Sequence, residues 1–67
     1  MASIRLWEIR RKRGITLKEL EKLTGLGKTT LNNIENERVS PTIYEVEMIC
    51  KALEITFKDL IDTEYNP

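Results

Sequence analysis

Gly25 constrains this chain more than any other position. It stands between two amphipathic stretches of about two helical turns each. Before it, Thr16-Leu17-Lys18-Glu19 is a capping box, in which the Thr16 hydroxyl accepts from the Glu19 backbone N–H and the Glu19 carboxylate reaches back. Leu17, Leu20 and Thr24 then recur on one helical face. Gly25 ends that stretch as a left-handed residue. Leu26-Gly27 leaves room only for a tight connection, and a second helix starts near Lys28. Leu31 and Ile34 give the second helix its apolar side. Leu20, Leu26, Leu31 and Ile34 therefore face inward, and the spacing leaves Lys28, Thr29, Asn32 and Asn33 outward.

The flanks supply three more helices. In the first, Ser3 is a candidate cap, Ile4, Leu6 and Ile9 are apolar, and the basic run Arg10–Arg13 suits a helix C-terminus before Gly14. Thr42-Ile43-Tyr44-Glu45 is a second capping box, followed by Val46, Ile49, Cys50 and Leu53 at helical spacing. Thr56-Phe57-Lys58-Asp59 repeats the pattern for a short last helix through Ile61. Asn36 is the expected left-handed stop of the third helix. No alternating run suggests a strand. The pattern predicts an all-α, compact five-helix bundle in a single domain over 1–67, with an ordered core at about 3–61 and a frayed tail at 62–67.

Composition narrows what such a bundle does. The chain has 67 residues, one cysteine and no histidine. An internal disulfide is impossible, a structural zinc module lacks its usual ligands, and the commonest general acid/base is missing. The expectation is a non-enzyme without metal, cofactor or small-molecule ligand. Neither a membrane span nor a signal-peptide apolar stretch is present, so the chain reads as a whole cytosolic protein or one domain of a longer one. Net charge is zero, yet residues 1–38 carry +4 and residues 39–67 carry −4. Phosphate affinity depends on the local positive face and not on the total.

The outward set of the third helix carries the chemistry. Asn is a poor helix former, so Asn32 and Asn33 are costly on a face that only meets solvent. Asn pairs with adenine N6/N7 and Lys donates to guanine O6/N7 in the major groove, while Thr meets a thymine methyl or a phosphate. The alternative is that the two Asn residues are merely tolerated near a helix end.

The stretch Leu20–Asn36 resembles the core signature of the lambda-repressor-like (Xre/Cro) helix-turn-helix family, with the motif at about residues 17–35. Ile9-Arg10, Ser40-Pro41-Thr42 and Lys51-Ala52-Leu53 resemble its flanking positions, so the likeness runs from Ile4 to Ile61. The resemblance implies base contacts from Lys28, Thr29, Asn32 and Asn33. It implies DNA backbone contacts from Arg10, Thr16, Gly27, Asn36 and Arg38, and a structural ion pair between Arg10 and Glu35. Dimer contacts would come from Val39, Ile43, Ile55 and Phe57. The implied protein is a cytoplasmic, bacterial or phage-encoded regulator of transcription, nucleoid-associated when bound. It would be a repressor that binds double-stranded DNA as a homodimer on a two-fold operator. Rival readings are a protein-interaction module of the same fold, antitoxin-like or a regulatory partner, and a nucleic-acid binder without sequence preference.

Three positions depart from the family pattern. Leu17 stands where Gln is usual, which removes a common phosphate contact. Glu21 stands where Ala is usual, and needs either solvent or a donor on the next helix, Thr29 or Thr30. Glu37 stands where Gly is frequent. The other singular residues read as structural. Cys50 is a small core residue, Trp7 caps the core edge or sits in a protein contact, Tyr44 and Phe57 cover the core or the dimer contact, and Met48 is exposed.

Overall fold

Helix punctuation sets the architecture. In the computed structural model, which describes residues 2–65, the elements run β1 (Ser3–Ile4), α1 (Leu6–Arg13), α2 (Leu17–Thr24), α3 (Lys28–Glu35), α4 (Ile43–Leu53), α5 (Phe57–Leu60) and β2 (Ile61–Asp62). Capping boxes open α2, α4 and α5: Thr16, Thr42 and Thr56 each accept from the backbone N–H three residues on, and the acid there returns the bond. Asn66 and Pro67, the end of the expected tail, lie outside the described residues.

The ends of α1 to α4 are closed by left-handed residues, and two of these are unexpected. Gly14 ends α1 at φ 67°, with its N–H on Arg11 O and the Ile15 N–H on Arg10 O. The same pair of bonds ends α3 at Glu37 (φ 56°) and α4 at Glu54 (φ 55°). Gly25 closes α2 with a single bond to Glu21 O. Asn36 is not the left-handed residue: it stands at φ −90° one position earlier. The left-handed residue is instead Glu37. That side chain finds its own use, because Glu37 Oε1 accepts from the Ile4 N–H at 3.0 Å.

Two short strands also go beyond the expectation. Ser3 pairs with Asp62 and Ile4 with Ile61 in an antiparallel ladder. The Arg5 N–H donates to Leu60 O at 2.8 Å, and Arg5 forms an exposed ion pair with Asp62 at 3.1 Å. Ser3 therefore belongs to β1 and does not cap α1, whose cap position is Arg5 with no side-chain bond. Two-residue strands are too short to show a period of two, so the sequence carried no sign of them.

Every helix sends at least one side chain into a common core. Leu6 comes from α1, Leu20 from α2, Leu31 and Ile34 from α3, Ile49 and Leu53 from α4, and Leu60 from α5; all are buried. Ile9, Leu17, Leu26, Val46, Cys50, Ile55 and the two strand isoleucines pack around them. Cys50 is half-buried, and burial, with Asp59 adding to it, raises its thiol above the usual range. Met48 is partly buried, not exposed, whereas Tyr44 and Phe57 lie exposed. No helix among the described residues is long and apolar enough to cross a membrane.

Candidate nucleic-acid interface

The α2–α3 pair is the part of the fold that presents polar side chains in an ordered row. With Leu31 and Ile34 locked in the core, the opposite side of α3 is fixed by helical geometry. Lys28 and Thr29 are exposed, and one turn on, Asn32 and Asn33 are half-exposed on the same stripe. The two Asn residues are also pre-oriented. Asn36 Nδ2 donates to Asn32 O at 2.9 Å and to Asn32 Oδ1 at 3.0 Å. Arg38 Nη1 reaches Asn33 Oδ1 at 3.4 Å. An amide oxygen has two lone pairs, so each Asn retains an acceptor site and both N–H donors for a partner. Two residues expected to meet bases, Asn32 and Asn33, are thus hydrogen-bonded to two expected to meet phosphate, Asn36 and Arg38.

The acids around α3 are each aimed at a donor of the chain itself. Glu35 faces Arg10, Glu37 faces the Ile4 N–H, and Glu21 Oε2 accepts from the Lys28 backbone N–H at 2.8 Å. The last bond corrects the expected partner: Glu21 takes neither Thr29 nor Thr30 but the first N–H of α3. This is physically sensible, because Lys28 is the first residue of α3 and its N–H has no acceptor within the helix. Lys28 and Arg38 remain exposed cations on this side.

Arg10 and Glu35 form a two-pronged pair. Nε meets Oε2 and Nη2 meets Oε1, both at 2.8 Å, and Nη1 donates to Ile15 O at 3.0 Å. Glu35 keeps only 5% side-chain exposure and Arg10 17%. Hydrogen bonding to Glu35 raises the Arg10 guanidinium above its ordinary value, so it stays charged throughout. The pair ties the C-terminal end of α3 to α1.

A family sequence model for the Cro/C1-type HTH DNA-binding domain matches residues 5–66, nearly the whole chain. The chain belongs to this family. Its α2 and α3 are the two helices of the helix-turn-helix, and α3 takes the place of the recognition helix in this Cro/C1-type domain. No curated protein matches the chain.

The remaining expected residues lie elsewhere on this Cro/C1-type fold. Thr16 and Gly27 sit exposed at the N-terminal ends of α2 and α3. Val39 is exposed, as are Ile43 (82%) and Phe57 (53%), the first residues of α4 and α5. Ile43 and Phe57 border an apolar groove of ≈560 Å³ with Ala2, Val46, Cys50 and Ile61. Ile55 is half-buried against the core. Trp7 is exposed with the Arg11 guanidinium 4.9 Å above its ring, a cation–π contact that the spacing of α1 could have indicated.

Proposed function

We propose that this Cro/C1-type domain is a sequence-specific transcriptional repressor that reads a two-fold operator as a homodimer. One observation carries the reading. Lys28, Thr29, Asn32 and Asn33 form one accessible stripe on α3, backed by the fully buried Leu31 and Ile34. That stripe offers guanine-reading and adenine-reading groups at the spacing of a helix laid in the major groove. Thr16, Gly27, Asn36 and Arg38 serve as phosphate contacts. Gly27 supports this role, since its φ is −64° and an added Cβ would meet only Thr30 Oγ1 at 3.9 Å. The fold itself does not demand a glycine there, whereas a closely approaching DNA backbone does. Arg10 has three donors committed within the chain, so its contribution runs through Glu35 rather than through phosphate.

Half-sites would lie about 10–10.5 base pairs apart or a multiple of that. The homodimer forms through Val39, Ile43, Ile55 and Phe57, and repression is occlusion of polymerase in the cytoplasm. A second reading draws on the same groove: its exposed Ile43 and Phe57 would suit a protein partner, making the domain an interaction module. In-vitro transcription from a template carrying the selected site, with sedimentation of the complex, tests the proposal. Blocked transcription with two protomers per duplex is expected. Undiminished transcription removes the repressor role, and one protomer per duplex removes the dimer.

A further inference from the structure

The tight turn before α3 is held by two side chains of α2. Thr24 is buried, and its Oγ1 donates to Leu20 O at 2.8 Å while accepting from the Leu26 N–H at 3.1 Å. Glu21 Oε2 accepts from the Lys28 N–H at 2.8 Å. A carboxylate in the last turn of α2 is badly placed for its own helix, whose C-terminal end repels an anion. The Glu21 carbonyl is itself one of the closing acceptors of α2, bonded by the Gly25 N–H. The start of α3 attracts the same carboxylate and has no cap of its own. Glu21 therefore serves α3 from α2.

The two ends of α3 are anchored to different parts of the molecule. Glu35 ties the C-terminal end to Arg10 of α1, and Glu37, two residues on, accepts from the Ile4 N–H. The Glu21 bond ties the N-terminal end to α2. Resting on the DNA-readout reading above, we propose that Glu21 is a positioning residue for base recognition. Its bond to the Lys28 N–H sets α3 against α2 and so aligns Lys28 and Thr29 with the bases they read. Asn33 is held from the other end and does not depend on it. Glu21 touches no base in this account.

Selection from random duplexes with wild type, Glu21→Gln, Glu21→Asp and Glu21→Ala tests this, alongside amide hydrogen exchange of Lys28 in the free protein. Gln retains the acceptor without the charge. Asp retains the charge but is one methylene too short, and Ala loses both. The Gln variant is expected to keep the Lys28 amide protected and the preference intact. In the Ala and Asp variants Lys28 exchanges faster, and preference drops about tenfold, the lower range for one good base contact. That drop falls at the base pairs that Lys28→Ala also relaxes, and not at those that Asn33→Ala relaxes. If the Ala variant does not fold, the Gln and Asp pair carries the same comparison. Unchanged preference in Ala or Asp overturns the proposal, as does equal loss at every base pair. A Gln variant that behaves like Ala would overturn it too, since charge alone would then be the cause. A wild type that enriches no sequence removes the DNA-readout reading itself, an outcome distinct from a wild-type preference that Glu21 does not affect.

Discussion

Arg10 grips both carboxylate oxygens of Glu35 at 2.8 Å, fastening the last turn of α3 to α1. Removing either partner leaves a charge largely out of water. Glu35→Ala or Arg10→Ala is expected to cost about 3 kcal/mol, the low end of the range for buried pairs because Arg10 keeps some exposure. Replacing both with Arg10→Met and Glu35→Leu should cost less than either single change. Urea unfolding measures this, and a double variant as unstable as the sum of the singles would contradict it.

Left-handed Glu37 and Glu54 make a controlled pair. A non-glycine residue there costs about 1–2 kcal/mol, partly offset by the greater chain entropy that glycine loses on folding. Glu54→Gly should therefore stabilise the fold by about 0.5–1 kcal/mol. Glu37→Gly should gain less, because it also loses the bond from the Ile4 N–H. Thermal unfolding with equal gains at both sites would show that the Glu37 bond contributes nothing.

Acid should weaken the fold through the capping boxes. Backbone hydrogen bonds from Thr16 and Thr56 hold the Glu19 and Asp59 carboxyls below their ordinary range. A lowered folded-state value adds stability above the ordinary carboxyl range, and this is lost as pH falls through the folded value. Glu19→Gln with Asp59→Asn removes two of the titrating groups. The drop in urea midpoint between about pH 6 and pH 3 should then be smaller than in wild type. An unchanged drop would place acid sensitivity elsewhere.

Gly27 separates folding from binding. Its ordinary φ and open surroundings allow a methyl group. Gly27→Ala should leave stability within about 0.5 kcal/mol, since the unfolded-state entropy gain offsets a poorer cap. Affinity for DNA should nevertheless fall, because a phosphate would have to move away from the added carbon. Unaltered affinity would remove Gly27 from the interface.

What the sequence disclosed was what is local. The bounds of α3, Lys28 to Glu35, followed from Gly27 before it and Asn36 after it, although Asn36 is not itself left-handed. The capping boxes are readable because both partners lie within one turn. The Arg10–Glu35 pair was foreseen through the family likeness, as nothing near either residue announces the other. The strand pair, the Ile4–Glu37 bond and the Glu21–Lys28 bond join residues whose meeting depends on the finished fold. Left-handed Glu37 went unread because Glu rarely takes that conformation, and Asn36 beside it is the better candidate by propensity.

The central claim is that α3 reads bases, and competition binding tests it most directly. Wild type, Lys28→Ala and Asn33→Ala are each titrated against the enriched duplex and a scrambled one at the same salt concentration. The account predicts a wild-type preference of about a thousandfold or more, with each variant losing about 1–3 kcal/mol of discrimination at its own base pairs. Equal wild-type affinity for both duplexes, weakened only by salt, would contradict it.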